Sequence, residues 1–468
     1  MRQRAASLHQ RLHLRRFTVN FAPFRTVEAV LEHHVEHRLR YRPANLTAAW
    51  TAVARLATTL PVEQQKLRCE PVSLWLLERH TISAAVEFEP RHVAMTAHRL
   101  AQLHDLPDNT LWQPDAVLWR ALERRALWLV GSFSPHELST AASALVKANR
   151  PAPLLLDAFA VAAAQRAAAF SSAELAGTAL AIAESRRPAP RMFEAVATEA
   201  TRRLGELEPA DLARLAQAFA TATTTHGAAA RDAAQGTARD ARQDATEDAA
   251  AALLDAIGAE AARRRSLASF KPAELSALAC AYATAGRRAP ALLDAIGATA
   301  AKRTAAEFRP AALADLAWAY ATAGHAAPAL FEAIAAAALR AERLAAFRPA
   351  ELSRLAWAFA TAEAPPPAAR AELLDACARV LAERADELTP DELAATARAF
   401  VAAGHPAPAA LVDAMAVPAA HHVADALTPE LLAALRTCSD GGGGGGDGGD
   451  GAKRPRTRRA RSRRKHRS

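Results

Sequence analysis

This chain has little that suits redox, metal or nucleophilic chemistry. Its 468 residues hold four cysteines, Cys69, Cys280, Cys377 and Cys438, far apart and without metal-ligand spacing. They read as buried or incidental thiols of a reducing compartment. Outside the Gly-rich run at residues 441–451, no GxGxxG pattern occurs, and no GxxxxGK, HExxH, CxxC or GxSxG pattern occurs anywhere. The pairs His33/His34 and His421/His422 have no Cys or Asp set at ligand spacing and read as surface or capping histidines. The expectation is a protein with no catalytic activity, no cofactor and no metal. No uninterrupted run of 18 apolar residues occurs, so no membrane-spanning helix is expected. Glycine is sparse outside residues 441–451 and aromatic residues make up 5% of the chain. Alanine exceeds a quarter of it, which favours helix over strand.

What the chain does have is a repeated phrase. Its clearest copy, FRPAELSRLAWAFATA, starts at Phe347; others start at Phe133, Phe170, Leu207, Phe270, Phe308, Leu388 and Leu427. Weaker copies start at Tyr41 and Phe88. The intervals cluster near 38 residues, with helical sequence in both halves. The expected fold is therefore all-α: a right-handed α-solenoid of about 8–10 helix-turn-helix repeats with disordered termini. Residues 21–130 read as degenerate N-terminal repeats or a cap, and residues 131–438 as the regular array. Five of the seven tryptophans (Trp50, Trp75, Trp112, Trp119 and Trp128) fall in the first of these, where core or cap packing is expected of them.

Within a repeat, Pro two residues after the anchor opens the first helix, and a Glu follows in its first turn. Apolar residues at anchor +5, +8, +9 and +12 form one buried stripe. Gly-containing turns end the helix by taking the left-handed conformation. The second helix carries an early acid (Asp157, Glu194, Asp255, Asp294, Glu332, Asp375, Asp413) and a late arginine (Arg166, Arg202, Arg263, Arg303, Arg340, Arg379). That order is expected to complement the helix dipole. One acid per repeat, roughly 10 Å from the next at helix packing distances, cannot share an ion.

The 63-residue interval between Leu207 and Phe270 hides an insertion at residues 223–249, low in large apolar groups and read as a disordered surface loop. Residues 439–452 are a Gly-rich linker and residues 453–468 a basic disordered tail. Residues 1–20 are Arg-rich, hold no acid and can form an amphipathic helix, the profile of a mitochondrial presequence. The net charge of +9 is terminal: residues 453–468 hold 10 Lys/Arg and residues 1–27 hold 6 Arg, without acids. The remainder carries 42 basic and 49 acidic residues, about −7.

The phrase F-x-P-x-E-L-x-x-L-A-W-A-[FY]-A, clearest in Phe308–Thr322 and Phe347–Thr361, resembles the organellar repeats of the FAST-kinase-like leucine-rich family. It is similar also to octotricopeptide and heptatricopeptide repeats and to repeats of the RNA-editing substrate-binding complex. Some members carry a C-terminal RAP domain, a nuclease-like module, and nothing here resembles it. The resemblance implies an RNA-binding protein of the mitochondrial matrix, or of a plastid, acting in RNA processing, stability or editing. Its partners would be single-stranded organellar transcripts or rRNA, with other RNA-processing proteins, and neither a membrane nor a small-molecule substrate. The competing expectation is a protein–protein scaffold of the armadillo or HEAT type, with the tail as a nuclear localisation signal.

First-helix positions +3, +7, +10 and +14 lie opposite the apolar stripe, and +7 and +10 vary between copies as a modular RNA reader requires. They make Lys147, Arg214, Gln217, Arg354 and Arg398 candidates for RNA contact. Trp318 and Trp357 either stack on bases or pack between neighbouring helices. In the tail, Arg454, Arg456, Arg458, Arg459, Arg461, Arg463 and Arg464 are candidates for sequence-independent phosphate binding.

Overall fold

The computed structural model describes residues 18–69, 74–106, 116–233, 241–263, 267–340, 343–363 and 365–406, with short pieces at 412–413, 431 and 433–435. These residues contain helices and no strand. In chain order the α-helices are α1 (Val27–His37), α2 (Pro43–Thr59), α3 (Pro61–Cys69), α4 (Trp75–Ala84), α5 (Pro90–His104) and α6 (Ala116–Leu129). Next come α7 (Pro135–Lys147), α8 (Pro153–Arg166), α9 (Ser172–Glu184), α10 (Pro190–Arg202), α11 (Pro209–Ala233) and α12 (Ala241–Arg263). The series ends with α13 (Pro272–Thr284), α14 (Pro290–Glu307), α15 (Pro310–Ala323), α16 (Pro328–Ala338), α17 (Pro349–Thr361), α18 (Pro367–Glu383) and α19 (Pro390–Ala403).

The helices form two layers of an α-solenoid. First helices stack in the order α2, α5, α7, α9, α11, α13, α15, α17, α19. Second helices stack beside them in the order α1, α4, α6, α8, α10, α12, α14, α16, α18. Contact is more extensive between neighbouring first helices, which bury many alanines, and small side chains let helix axes approach closely. The described part of the array opens on a half-repeat: α1 is a second-type helix, followed, as are the later second helices other than α14, by a 3-10 turn and an anchor, Tyr41.

Each anchor from Tyr41 to Leu388 is buried, and Phe88, Phe270 and Phe347 are fully so. Burying such a ring contributes about 1.5–3 kcal/mol. The residue after the anchor is the N-cap. Ser134, Ser171 and Thr389 accept from the backbone N–H of Glu137, Glu174 and Glu392, and those glutamates reach back to the cap N–H at 2.8 Å. The recurrent Glu therefore completes a capping box as well as facing the dipole. Gly286, Gly324 and Gly404 take positive φ at the helix ends as expected, but Asn149 and Arg186 fill the same place elsewhere.

The late arginine does something the dipole reading missed. It reaches back across its own repeat to the anchor carbonyl: Arg125 to Phe88 at 2.7 Å, Arg166 to Phe133 at 2.8 Å, Arg203 to Phe170 at 2.7 Å. Arg303 meets Phe270 and Arg384 meets Phe347, each at 2.8 Å, and Arg343 donates to Phe308. So the clamp uses Arg203, Arg343 and Arg384, not the neighbouring Arg202, Arg340 and Arg379. Arg202 and Arg263 pair instead with Glu199 and Glu260.

The early acid needs a similar correction. Asp157 and Asp294 stand in the second turn of their helices, beyond the first-turn N–H groups. They pair with a base in the next repeat's turn: Asp157 with Arg187 at 2.5 Å, Asp294 with His325 at 2.9 Å. Asp255 likewise meets Arg287 at 2.6 Å and Asp375 meets His405 at 2.9 Å.

The insertion is not a loop where it is described. Residues 223–233 extend α11 and residues 241–249 begin α12. Low apolar content argued against a core, but it says nothing against helix, and an alanine-rich segment has high helix propensity. Residues 234–240 lie outside the described residues, as do 1–17, Trp112, most of the Leu427 copy, the linker and the basic tail; Asp413 is exposed. Trp50 and Trp119 pack in the core as expected, whereas Trp75 and Trp128 on the second-helix layer are 54% and 74% exposed.

A size match couples adjacent repeats. Tyr282 and Tyr320 each donate from their hydroxyl to a carbonyl of the preceding second helix, Leu254 and Leu293. A Cβ added at Gly258 would meet the Tyr282 hydroxyl at 2.8 Å, and one at Gly297 the Tyr320 hydroxyl at 3.1 Å. Where the ring is Phe219, Phe359 or Phe400, the corresponding residue is Ala197, Ala335 or Ala378. Gly258→Ala alone is expected to destabilise by about 1–3 kcal/mol through overpacking. Tyr282→Phe alone should cost about 1 kcal/mol for the lost hydrogen bond. The double variant should be more stable than either single one, because it restores the Phe–Ala match and removes a mid-helix glycine. A urea-denaturation double-mutant cycle reads this coupling.

Candidate functional site

The face opposite the apolar stripe is open, as the spacing predicts. In α17, Arg354 is exposed and Trp357 half-buried; in α19, Arg398 is exposed. Between α11 and α17 this face forms a groove of about 930 Å³, lined by Gln217, Lys271, Cys280, Arg309, Trp318 and Arg354 among others. Three of the sequence candidates, Gln217, Trp318 and Arg354, thus come together.

The other candidates lie apart from the groove lining. Arg214 is exposed on α11 and pairs with Asp211 at 3.4 Å. Lys147, exposed at the end of α7, sits in the electrostatic neighbourhood of His98 and Glu184. Burial, followed by the Arg99 and Lys147 charges, lowers the His98 pKa. Burial raises that of Glu184, against the Lys147 charge. Trp318 and Trp357 both pack against the hydrophobic core, so part of each ring serves stacking of the repeats.

Inside the groove the charged groups are partly engaged. Arg354 forms an ion pair with Asp315 of the preceding repeat, which ties α15 to α17. Glu307 is held by Arg303 at 2.6 Å. The Cys280 thiol donates to the Asp315 carbonyl at 3.3 Å, and burial, then the Asp315 charge, pushes its pKa up to about 12. A thiol so protonated at neutral pH is a poor nucleophile and a poor soft-metal ligand. Among the described residues no group of three or more His, Cys, Asp and Glu side chains is placed to hold a metal ion. No described helix is long and apolar enough to cross a membrane.

The groove cations Lys271 and Arg309 were missed in the sequence. They sit at anchor +1, a position read there only as the step between anchor and proline. The signal was present: the same position is Ser or Thr in Ser134, Ser171 and Thr389.

Comparison with protein-family models and with curated proteins finds no match for this chain.

At the N-terminal end, His34 is not a surface residue: it is 2% exposed, with its Nε2 2.9 Å from Nδ1 of His80. Burial, then the His80 and Arg38 charges, lowers the His34 pKa to about 4, and burial lowers that of His80. The unfolded imidazole titrates near 6.5, so the unfolded state binds more protons between these values. Stability of the N-terminal repeats should therefore be full above about pH 6.5 and fall as pH drops towards 4. Thermal unfolding across that range checks it. His34→Gln should flatten the dependence, and an unchanged slope in that variant would contradict the assignment.

Proposed function

We propose that this protein is an RNA-binding α-solenoid of the organellar type, with single-stranded RNA lying along the first-helix face. The observation that carries the reading is the groove itself. It is an open channel crossing several successive repeats, lined by polar, cationic and aromatic side chains that differ from repeat to repeat. Single-stranded RNA is read by such a combination, with flat faces for bases and cations for the backbone. The resemblance of the repeated phrase to organellar RNA-binding repeats supports the same reading, and the Arg-rich first 20 residues support a mitochondrial address. In this reading Gln217 and the exposed part of Trp318 meet bases. Arg354 and Asp315 form an ion pair within the groove lining. The arginines of residues 453–468 add sequence-independent affinity. The chain binds and presents RNA and does no chemistry of its own.

The test is binding of a 30-nucleotide single-stranded RNA to the purified chain and to a form ending at residue 438. The expected result is binding by both, weaker and less salt-dependent in the shorter form. Gln217→Ala should weaken the shorter form's binding by about 3- to 10-fold, the scale of one or two lost polar contacts. Complete loss of binding with the tail would contradict the reading. So would a protein partner that persists after ribonuclease treatment while the array ignores RNA. That second outcome would favour the scaffold alternative, which the net acidic charge of residues 28–452 supports.

A further inference from the structure

We infer that Lys271, Arg309 and Arg348 form a phosphate-binding rim along the groove, and that the RNA backbone runs on this rim. The inference rests on the RNA reading above and gives the strand its position on the face.

Three observations converge on it. First, the residues occupy the same structural position, the N-cap of α13, α15 and α17, in three successive repeats. All three side chains are exposed, and Lys271 and Arg309 line the groove directly. Stacked first helices place successive caps roughly 10 Å apart, so the three cations form a row along the stack.

Second, the position has a structural job that these residues do not do. Lys and Arg have no acceptor for the helix N–H groups. No cap side chain accepts a hydrogen bond at α13, α15 or α17, whereas Ser134, Ser171 and Thr389 make that bond at α7, α9 and α19. Three adjacent repeats have given up a stabilising cap for a cation, and they are the repeats that border the groove. Arg42 does the same at α2, far from the groove and alone. Local rules broken together, without a structural gain, mark functional positions.

Third, the groove's acids are balanced from elsewhere. Glu307 is held by Arg303 and Asp315 by Arg354, which leaves the rim as the source of net positive charge at the groove edge. Arg348 also touches Glu351 at 2.8 Å, but its side chain is 79% exposed and such a pair yields readily to phosphate. The rim lies at helix N-termini, whose dipoles add to the attraction for an anion.

The experiment exchanges the rim for the residue that other repeats use. The full chain and its Lys271→Ser/Arg309→Ser/Arg348→Ser variant are titrated with a 30-nucleotide oligouridine from 50 to 300 mM salt. Three phosphate contacts on a single strand should lower the slope of log K against log salt by about 2. Affinity should fall accordingly at low salt. The variant should melt at the same or a higher temperature, because serine caps the helices. A second variant, Lys271→Arg/Arg309→Lys/Arg348→Lys, should keep the slope and guards against an effect of folding. An unchanged slope in the serine variant, with RNA still bound, would overturn the rim and leave the RNA reading standing. Failure of the unmodified chain to bind RNA at any salt would overturn both. Loss of a ribonuclease-resistant protein partner in the serine variant, with RNA binding unaltered, would make the rim a protein-docking edge and overturn the proposal.

Discussion

Each phenylalanine-anchored repeat closes on itself through one interaction, the charge-assisted hydrogen bond from a late arginine to the carbonyl of the anchor. The anchor carbonyl lies just outside the first helix, where no helical partner exists for it. Left buried and unpaired it would cost about 1–3 kcal/mol. The arginine supplies a planar donor that reaches it from the far end of the repeat, across 33 residues from Phe133 to Arg166. This fixes where the second helix ends relative to where the first begins. Once that offset is set, the rest of the repeat has one way to lie: the ring goes into the core, proline starts the helix, and the open face points away from the second layer.

Between repeats the ties are of three kinds, all short. Alanine faces bring the first helices together, acid–base pairs join α8, α12, α14 and α18 to the following turn, and a hydroxyl or a methyl fills the gap beside it. Asp157–Arg187 and Asp255–Arg287 use arginine, while Asp294–His325 and Asp375–His405 use histidine. Such nearest-neighbour coupling makes a solenoid's stability the sum of its repeats and their interfaces. It also leaves the +3, +7, +10 and +14 positions with no part in closing a repeat. Those are the positions at which a ligand can be read, although Arg354 shows that some of them are also drawn into inter-repeat contacts.

The solenoid was legible in the sequence because its signals are local and repeated: an anchor, a proline two residues on, an apolar stripe, and a glycine turn. What was not legible depends on pairs far apart in the chain. The Arg203–Phe170 clamp and the Asp157–Arg187 tie join residues 33 and 30 positions apart, and a helix-dipole argument had already given both residue types a local role. The Tyr–Gly match was readable, since DAIG precedes AYAT twice and EAIA precedes AFAT, but only side-chain geometry shows why the letters change together. Residues 223–249 misled because composition speaks to core formation and not to helix. For the site, periodicity found the open face and three groove residues. It missed Lys271 and Arg309 because an N-cap is judged by what it contributes to the helix, and here the informative fact is that it contributes nothing.

The first-helix layer is the proposed working surface and the second layer its support. Ultraviolet crosslinking of bound single-stranded RNA to the full chain, with the modified peptides identified by mass spectrometry, tests this most directly. The account predicts crosslinks on peptides spanning residues 209–224, 271–284 and 309–322, with Trp318 prominent, alongside those in the basic tail. Crosslinks confined to residues 453–468, or falling on the second-helix layer around Trp75 and Trp128, would contradict it.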